Sequence, residues 1–226
     1  MNKAKKMSTV LCLLVSLLVF ITLFALIITK NETILKMDNS VAQIFFDART
    51  RLLDYLFVIV SYMGETMTIV VLCVILLLLP NRKQVGLPVV MLTVVSLVVN
   101  FVLKMIIARQ RPENLFLIQD TLGYKMPDGY SFPSGHAQTA NIFYFALSFS
   151  VLNTLKKKWA RRLLMTFAIF FCLLMCLARI YLCVHFLTDV ICGLCIMIAI
   201  FCIYILIQKH FLKINEKHMN KYKGQK

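Results

Sequence analysis

Charge is what this sequence has least of. Only 15% of its 226 residues are Asp, Glu, Lys or Arg, while 60% are hydrophobic. So few charges cannot cover a water-facing surface, which excludes an ordinary soluble domain. Acids are scarcer still, 10 against 25 Lys and Arg, for a formal net charge of +15. That excess would suit nucleic acid, but the cations fall in short clusters between apolar runs, as membrane topology signals do, and a nucleic-acid partner is set aside. The single tryptophan, Trp159, stands in a basic turn suited to the headgroup region. No small-x-small cleavage site follows the first apolar run, and Leu11 precedes Cys12, so neither a cleaved signal peptide nor a lipoprotein signal is expected. Cysteine is not scarce, but all 8 (Cys12, Cys73, Cys172, Cys176, Cys183, Cys192, Cys195, Cys202) lie in or beside apolar runs. They read as buried small hydrophobes, not as disulfides or a metal cluster.

What is present is a series of apolar stretches, each near the ~20 residues that cross a bilayer as a helix. They predict an all-α integral membrane protein with six transmembrane helices, over about 8–29, 55–79, 85–107, 134–155, 162–181 and 186–208. These form a single membrane domain over 1–226, with a basic tail over 209–226. Between Lys30 and Asp54, Val41, Ile44, Phe45, Ala48 and Leu52 recur at helical spacing while Asp38, Asp47, Arg49 and Arg51 fall on other faces. That pattern predicts an amphipathic helix in the membrane interface. Glu65 interrupts the second span and is a candidate intramembrane carboxylate. Six spans put both termini on one side. Most Lys and Arg then belong to the N-terminus, the second and fourth turns and the tail, which marks that side as cytoplasmic. It follows that Lys104 to Pro133 and Arg179 to Asp189 share the extracytoplasmic face and can meet.

Those two stretches hold the candidate chemistry. His185 and Asp189 are four apart, so in helical geometry they share a face. The carboxylate can then accept a hydrogen bond from one imidazole nitrogen and leave the other free. Arg179, six residues before His185, converges on the same point only if the chain turns between the spans. Lys104 and Arg111 are seven apart, roughly two turns, so on a helix continuing to Pro112 their side chains reach one side. After the turn signal Asp128-Gly129, the run Pro133-Ser134-Gly135-His136 opens the fourth span. A capping-type serine, a glycine and the helix dipole there favour an anion such as phosphate, with His136 beside it. His210 and His218, in the basic tail, are assigned no role. Three cations, an anion-binding helix start, a histidine backed by a carboxylate and a second histidine fit phosphoryl transfer, which must stabilise charge on three equatorial oxygens.

Lys104, six residues, Arg111-Pro112; then Pro133-Ser134-Gly135-His136; then Arg179, five residues, His185, three residues, Asp189: this series closely resembles the three-part signature of the type 2 phosphatidic acid phosphatase family, and the six-span layout fits it. The resemblance implies that His185 attacks phosphorus and forms a phosphohistidine while Asp189 orients it. Lys104, Arg111, Arg179, Ser134 and the Gly135 amide would bind the phosphoryl oxygens. His136 would protonate the leaving oxygen and then activate water. The resemblance implies no metal and no cofactor, since fixed cations take the metal's place. Its implied partners are the bilayer and a membrane lipid phosphate: undecaprenyl pyrophosphate, phosphatidylglycerol phosphate or phosphatidate. The first is favoured because its headgroup is presented outside. A non-catalytic anionic-lipid binder or transporter, or a lipid phosphotransferase, would use the same cations, and the sequence sets no oligomeric state. One position departs from the signature, whose third part usually opens Ser-Arg. Here it reads Ala178-Arg179, which removes a supporting hydrogen bonder.

Overall fold

A computed structural model of the chain describes residues 3–112, 122–125, 127–152 and 154–223, with side chains as far as residue 208. Among these residues the structure is all helix: α1 (Lys3–Ile28), α2 (Glu32–Asp47), α3 (Arg51–Met63), α4 (Thr66–Leu78), α5 (Gly86–Ile107), a π-helical turn (His136–Ala140) running directly into α6 (Asn141–Leu152), α7 (Lys158–Tyr181) and α8 (Leu187–Lys223). The tail expected over 209–226 therefore continues α8 as far as Lys223. Its side chains, those of His210 and His218 included, lie outside what is described, as do residues 113–121 of the long loop.

Four helices (α1, α5, α7 and the first 22 residues of α8) are long and apolar enough to cross a bilayer. The pair α3 and α4, bent by 47°, makes a fifth if taken as one span. The expected fourth span is the five-residue π-turn with the 12 residues of α6, short of the ~20 residues of a straight crossing. Length and apolarity thus account for at most five of the six expected crossings. Helix α8 is the hub, packed against α1, α2, α5, the π-turn, α6 and α7. Outer faces carry Leu18, Leu78, Phe101 and Leu163, all exposed, as suits a lipid solvent no more polar than leucine.

The break between α3 and α4 falls at Gly64 and Glu65, and it has a local cause. A helix end leaves its last carbonyls without intrahelical donors. Here the Gly64 and Glu65 amides turn back to the Ser61 and Tyr62 carbonyls, and three side chains add donors: His136 Nε2 to the Ser61 oxygen at 3.0 Å, Thr68 Oγ1 to Tyr62 at 2.8 Å and Tyr144 OH to Met63 at 2.7 Å. Broken helices survive at membrane depth only with such partners. A Cβ on Gly64 would stand 2.5 Å from His136 Cδ2 and 2.8 Å from Met175 Sδ, so only glycine lets the break close on His136. Glu65 itself is exposed and makes no capping bond.

Helix α2 forms where expected, capped by Asn31, whose side chain accepts from the Thr33 and Ile34 amides. Its inward face differs from expectation. Asp38 is only 1% exposed, whereas Ile44 points outward, as does Leu52, which falls not in this helix but in the first turn of α3. Val41 and Phe45 pack on the core. Asp38 lies three residues before Val41 and seven before Phe45, in phase with both. The buried face therefore contains a carboxylate, drawn inward by partners described below.

Candidate active site

The Pro133-Ser134-Gly135-His136 turn is held by buried polar bonds. Asn100, from α5, donates to the Pro133 carbonyl at 3.3 Å and to Gln138 Oε1 at 3.0 Å, and Gln138 donates onward to the Ser96 carbonyl at 2.9 Å. Ser134 is fully buried and acts as a cap: its Oγ accepts from the Ala137 amide at 3.4 Å and its own N–H donates to the Asp189 carbonyl at 3.1 Å. The turn after it is π-helical instead of the α-helix expected, an irregularity that recurs at functional sites. Gly193 of α8 permits the contact, since a Cβ there would meet the Ser134 carbonyl at 2.7 Å.

Helix α7 ends in a Schellman motif: Cys183 takes φ +51°, its N–H reaches Ile180 and the Val184 N–H reaches Arg179. That reversal is the turn needed to bring Arg179 and His185 together. Asp189 is the third residue of α8, and its Oδ2 accepts from the Phe186 amide at 3.0 Å, an acid capping its own helix start. His185 precedes the helix, so the pair shares a face through the cap. Its Nδ1 stands 3.8 Å from Asp189 Oδ2 and has no hydrogen-bond partner, so the expected hydrogen bond is not formed. Catalytic hydrogen bonds are often long before substrate binds.

The cations arrive from three elements. Lys104, in the last turn of α5, donates to the Tyr130 carbonyl. The helix does not continue to Pro112 as expected: Ala108 turns left-handed at φ +47° and ends it. Residues 109 to 112 then run irregularly, tied to the far side of the loop by Ser131, whose N–H donates to the Arg109 carbonyl and Oγ to that of Gln110. Arg111 consequently reaches the site from a loop. Its Nη1 donates to the Val184 carbonyl at 2.7 Å and lies 3.4 Å from His185 Nε2, while Nε and Nη2 hold the Gly129 and Asp128 carbonyls. Arg179, 1% exposed, donates through Nη1 to Ser61 Oγ and, at 3.0 Å, to Tyr124 OH. Ser61 and Tyr124 thus give Arg179 hydroxyl support that Ala178 cannot.

Within hydrogen-bond reach, Lys104, Arg111 and Arg179 face no carboxylate, only carbonyl and hydroxyl oxygens and, for Arg111, the His185 ring nitrogen, so they place uncompensated positive charge around His185. Burial first, and then Arg179, Arg111 and Lys104, hold the His185 imidazole well below its ordinary pKa. It is therefore neutral, with a lone pair available at neutral pH. Burial, reinforced by Arg179, brings Arg111 down to about 10, still cationic at that pH. Among the described residues no three His, Cys, Asp or Glu side chains converge so as to hold a metal ion.

Five contributors were not read from the sequence: Arg109, Asp38, Ser61, Tyr124 and Gly64. Arg109 donates to Asp189 Oδ1 at 2.6 Å and to Asp38 Oδ2 at 2.7 Å. Ser61 supports both Arg179 and His136. Gly64 seats the His136 ring. A signal existed for Asp38, an acid in phase with an apolar stripe. None existed for Ser61 or Tyr124, whose partners lie 118 and 55 residues away.

The geometry has counterparts. A PAP2 superfamily model matches residues 85–213. The crystal structure of a transmembrane PAP2-type phosphatidylglycerolphosphate phosphatase from Bacillus subtilis superposes with a TM-score of 0.73 at 21% identity, covering 86% of this chain and 96% of that one. The crystal structure of LpxE from Aquifex aeolicus superposes with a TM-score of 0.55 at 25% identity, covering 76% of this chain and 94% of that one. No curated protein sequence matches the chain. The family match spans more than half of the chain and takes in Lys104, Arg111, Ser134, Gly135, His136, Arg179, His185 and Asp189 alike, so the chain belongs to the PAP2 superfamily.

Proposed function

We propose that the protein is an integral membrane lipid phosphatase that removes the terminal phosphate of a lipid phosphate or pyrophosphate at the extracytoplasmic face, by way of a phosphohistidine on His185. One observation carries the reading: three cations held by neutral oxygens surround a neutral histidine that has a carboxylate behind it. An anion entering there replaces carbonyls and hydroxyls as the partner of charges already in place, the preorganised arrangement that phosphoryl transfer needs.

His185 Nε2 forms a bond to phosphorus as the bond to the leaving oxygen breaks, and Asp189 accepts a hydrogen bond from Nδ1–H as positive charge grows on the ring. His136, carrying a proton on both ring nitrogens in the reacting complex, hands the one on Nδ1 to the leaving oxygen and is left neutral. Water then attacks phosphorus, the P–N bond breaks, His136 takes the water's proton and inorganic phosphate departs. His136 already donates Nε2–H to Ser61, which leaves Nδ1 for the proton traffic. Lys104, Arg111, Arg179, Ser134 and Gly135 form the phosphate seat, with Ser134 acting mainly through the turn it caps. No step calls on a metal or cofactor. The fold shared with a phosphatidylglycerolphosphate phosphatase supports this class of reaction, and undecaprenyl pyrophosphate and phosphatidate are tested beside phosphatidylglycerol phosphate.

The decisive experiment is phosphate release from those three lipids by detergent-solubilised protein in EDTA, for wild type and His185→Ala. Release by wild type alone is expected, and the rate order names the substrate. Release by both proteins would remove His185 as nucleophile. Binding of the lipids with no release by either would return the chain to a lipid-binding role.

A further inference from the structure

Outside the phosphate seat lies a second buried charge cluster that the reaction as written does not use. Arg109 Nη1 donates to Asp189 Oδ1 at 2.6 Å and to Thr188 Oγ1 at 2.8 Å, and Nη2 donates to Asp38 Oδ2 at 2.7 Å. Asp38 in turn accepts from the Thr188 amide at 3.1 Å and the Thr188 hydroxyl at 2.6 Å. The Arg109 guanidinium also lies over the Phe186 ring, 4.3 Å from its centroid. Asp38 thus caps the first turn of α8 from another helix, as Asp189 caps it from within.

We infer that Arg109 and Asp38 are positioning residues, a clamp that fixes the Asp189 carboxylate and with it the His185 imidazole. Asp189 has two oxygens and two fixed bonds: Oδ1 on Arg109 and Oδ2 on the Phe186 amide. Together they set the plane of the carboxylate, and Oδ2 is the atom that faces His185. Without Arg109 the carboxylate could rotate about its amide bond and lose that aim. Asp38 closes the clamp by holding the second arm of Arg109, so the fork cannot swing into the phosphate seat two residues away. Arg109 is not itself a phosphate ligand, because both terminal nitrogens are taken by carboxylates. Burial opposes its charge, yet Asp189 and Asp38 outweigh that and hold the guanidinium above its ordinary pKa.

The inference rests on the lipid-phosphatase reading, and its test separates the two. Arg109→Gln, Arg109→Lys and Asp38→Asn are compared with wild type, alone and in an Asp189→Asn background, on the best of the three lipids. Arg109→Gln is expected to lower kcat about 10²-fold, the scale of an ångström's misplacement, with KM little changed. Asp38→Asn should cost less, and Arg109→Lys should recover part of the loss through a single contact. In the Asp189→Asn background Arg109→Gln should add almost nothing, since its target is already altered. An equal loss in both backgrounds, or a loss confined to KM, overturns the clamp.

The second readout needs no turnover: titration of His185 by ¹⁵N NMR of histidine-labelled protein, assigned with His185→Ala. His185 is faced by Arg111 from the loop, Arg179 from α7, Lys104 from α5, His136 from the π-turn and Asp189 from α8. Removing Arg109 leaves Asp189 uncompensated, so the His185 midpoint should rise, and rise less in Arg109→Lys. An unmoved midpoint overturns the clamp even if wild type releases no phosphate. Should wild type be inactive while the midpoint shifts, the clamp stands and the lipid-phosphatase reading fails.

Discussion

Arg109 and Arg111 stand two residues apart on one irregular stretch, and the fold uses them in opposite ways. Arg109 is neutralised by two buried carboxylates, Asp38 and Asp189. Arg111 is held by the carbonyls of Asp128, Gly129 and Val184, with the His185 ring beside it. A carbonyl satisfies a guanidinium's hydrogen bonds without cancelling its charge, whereas a carboxylate does both. Arg111 therefore keeps its charge, which the proposed function gives to an incoming anion, whereas the charge of Arg109 is taken up by the carboxylates behind His185. The lesson is that a cation's function is set by the charge of its partner.

Four measurements break or sharpen that contrast, in falling order of effect. Arg109→Ala leaves two buried carboxylates without their shared cation, and breaking a buried pair costs about 3–5 kcal/mol. The thermal midpoint in detergent should fall clearly below that of wild type, while Arg111→Ala should leave it nearly in place. Equal midpoints for the two variants would erase the distinction. Next, Arg111→Ala should cost ~10²- to 10³-fold in kcat/KM, as for other preorganised charge stabilisers.

Its pH profile carries a sign as well. Burial first, and then the cations Arg179, Arg111 and Lys104, make the imidazole harder to protonate, so His185 titrates below its ordinary value in wild type. Protonated His185 is no nucleophile, and the acid limb of kcat/KM should follow it. Removing Arg111 raises that pKa, so the limb should move to higher pH. A limb that stays put or moves lower would mean that Arg111 does not govern His185.

Third, Gly64→Ala would place a methyl 2.5 Å from His136 Cδ2. The displaced ring should lower kcat by about 10²-fold or somewhat less, with the midpoint moved only modestly. An unchanged kcat would mean that the seat of His136 is not set by the break in the second span. The smallest effect is expected from Cys183→Gly, which removes the left-handed strain at φ +51°. That strain is worth ~1 kcal/mol, so the midpoint should rise slightly with kcat retained. A large fall in kcat would assign the thiol a role that its packing against α2 does not suggest.

Much of the site was legible because its parts are local. His185 and Asp189 are linked by one helix start, Ser134 caps the turn that His136 opens, and Lys104 ends the span before the loop. Each follows from capping and spacing rules that reach four or five residues. Two of the local readings that failed concern one cluster. The helix expected to carry Lys104 and Arg111 together stops at Ala108, because Arg109 must turn away to reach Asp38 and Asp189. The outward face assigned to Asp38 fails because those partners compensate its burial. Both errors involve the same cluster, and both arise because spacing alone does not identify a buried ion's partner.

By itself, the sequence determined that the chain is a helical membrane protein, since the length and apolarity of each run fix what the bilayer accepts. It also nominated the residues of the proposed phosphoryl-transfer site, because their types and short spacings suit that chemistry. The tertiary structure alone decided how each cation is compensated and where the second span breaks. It also decided that Ser61 and Tyr124 support Arg179 opposite Ala178. The contacts that hold Arg179, Arg109 and Asp38 join residues 55 to 150 apart in the chain. No periodicity spans such separations, and only packing brings their partners within the ~3 Å over which a hydrogen bond acts.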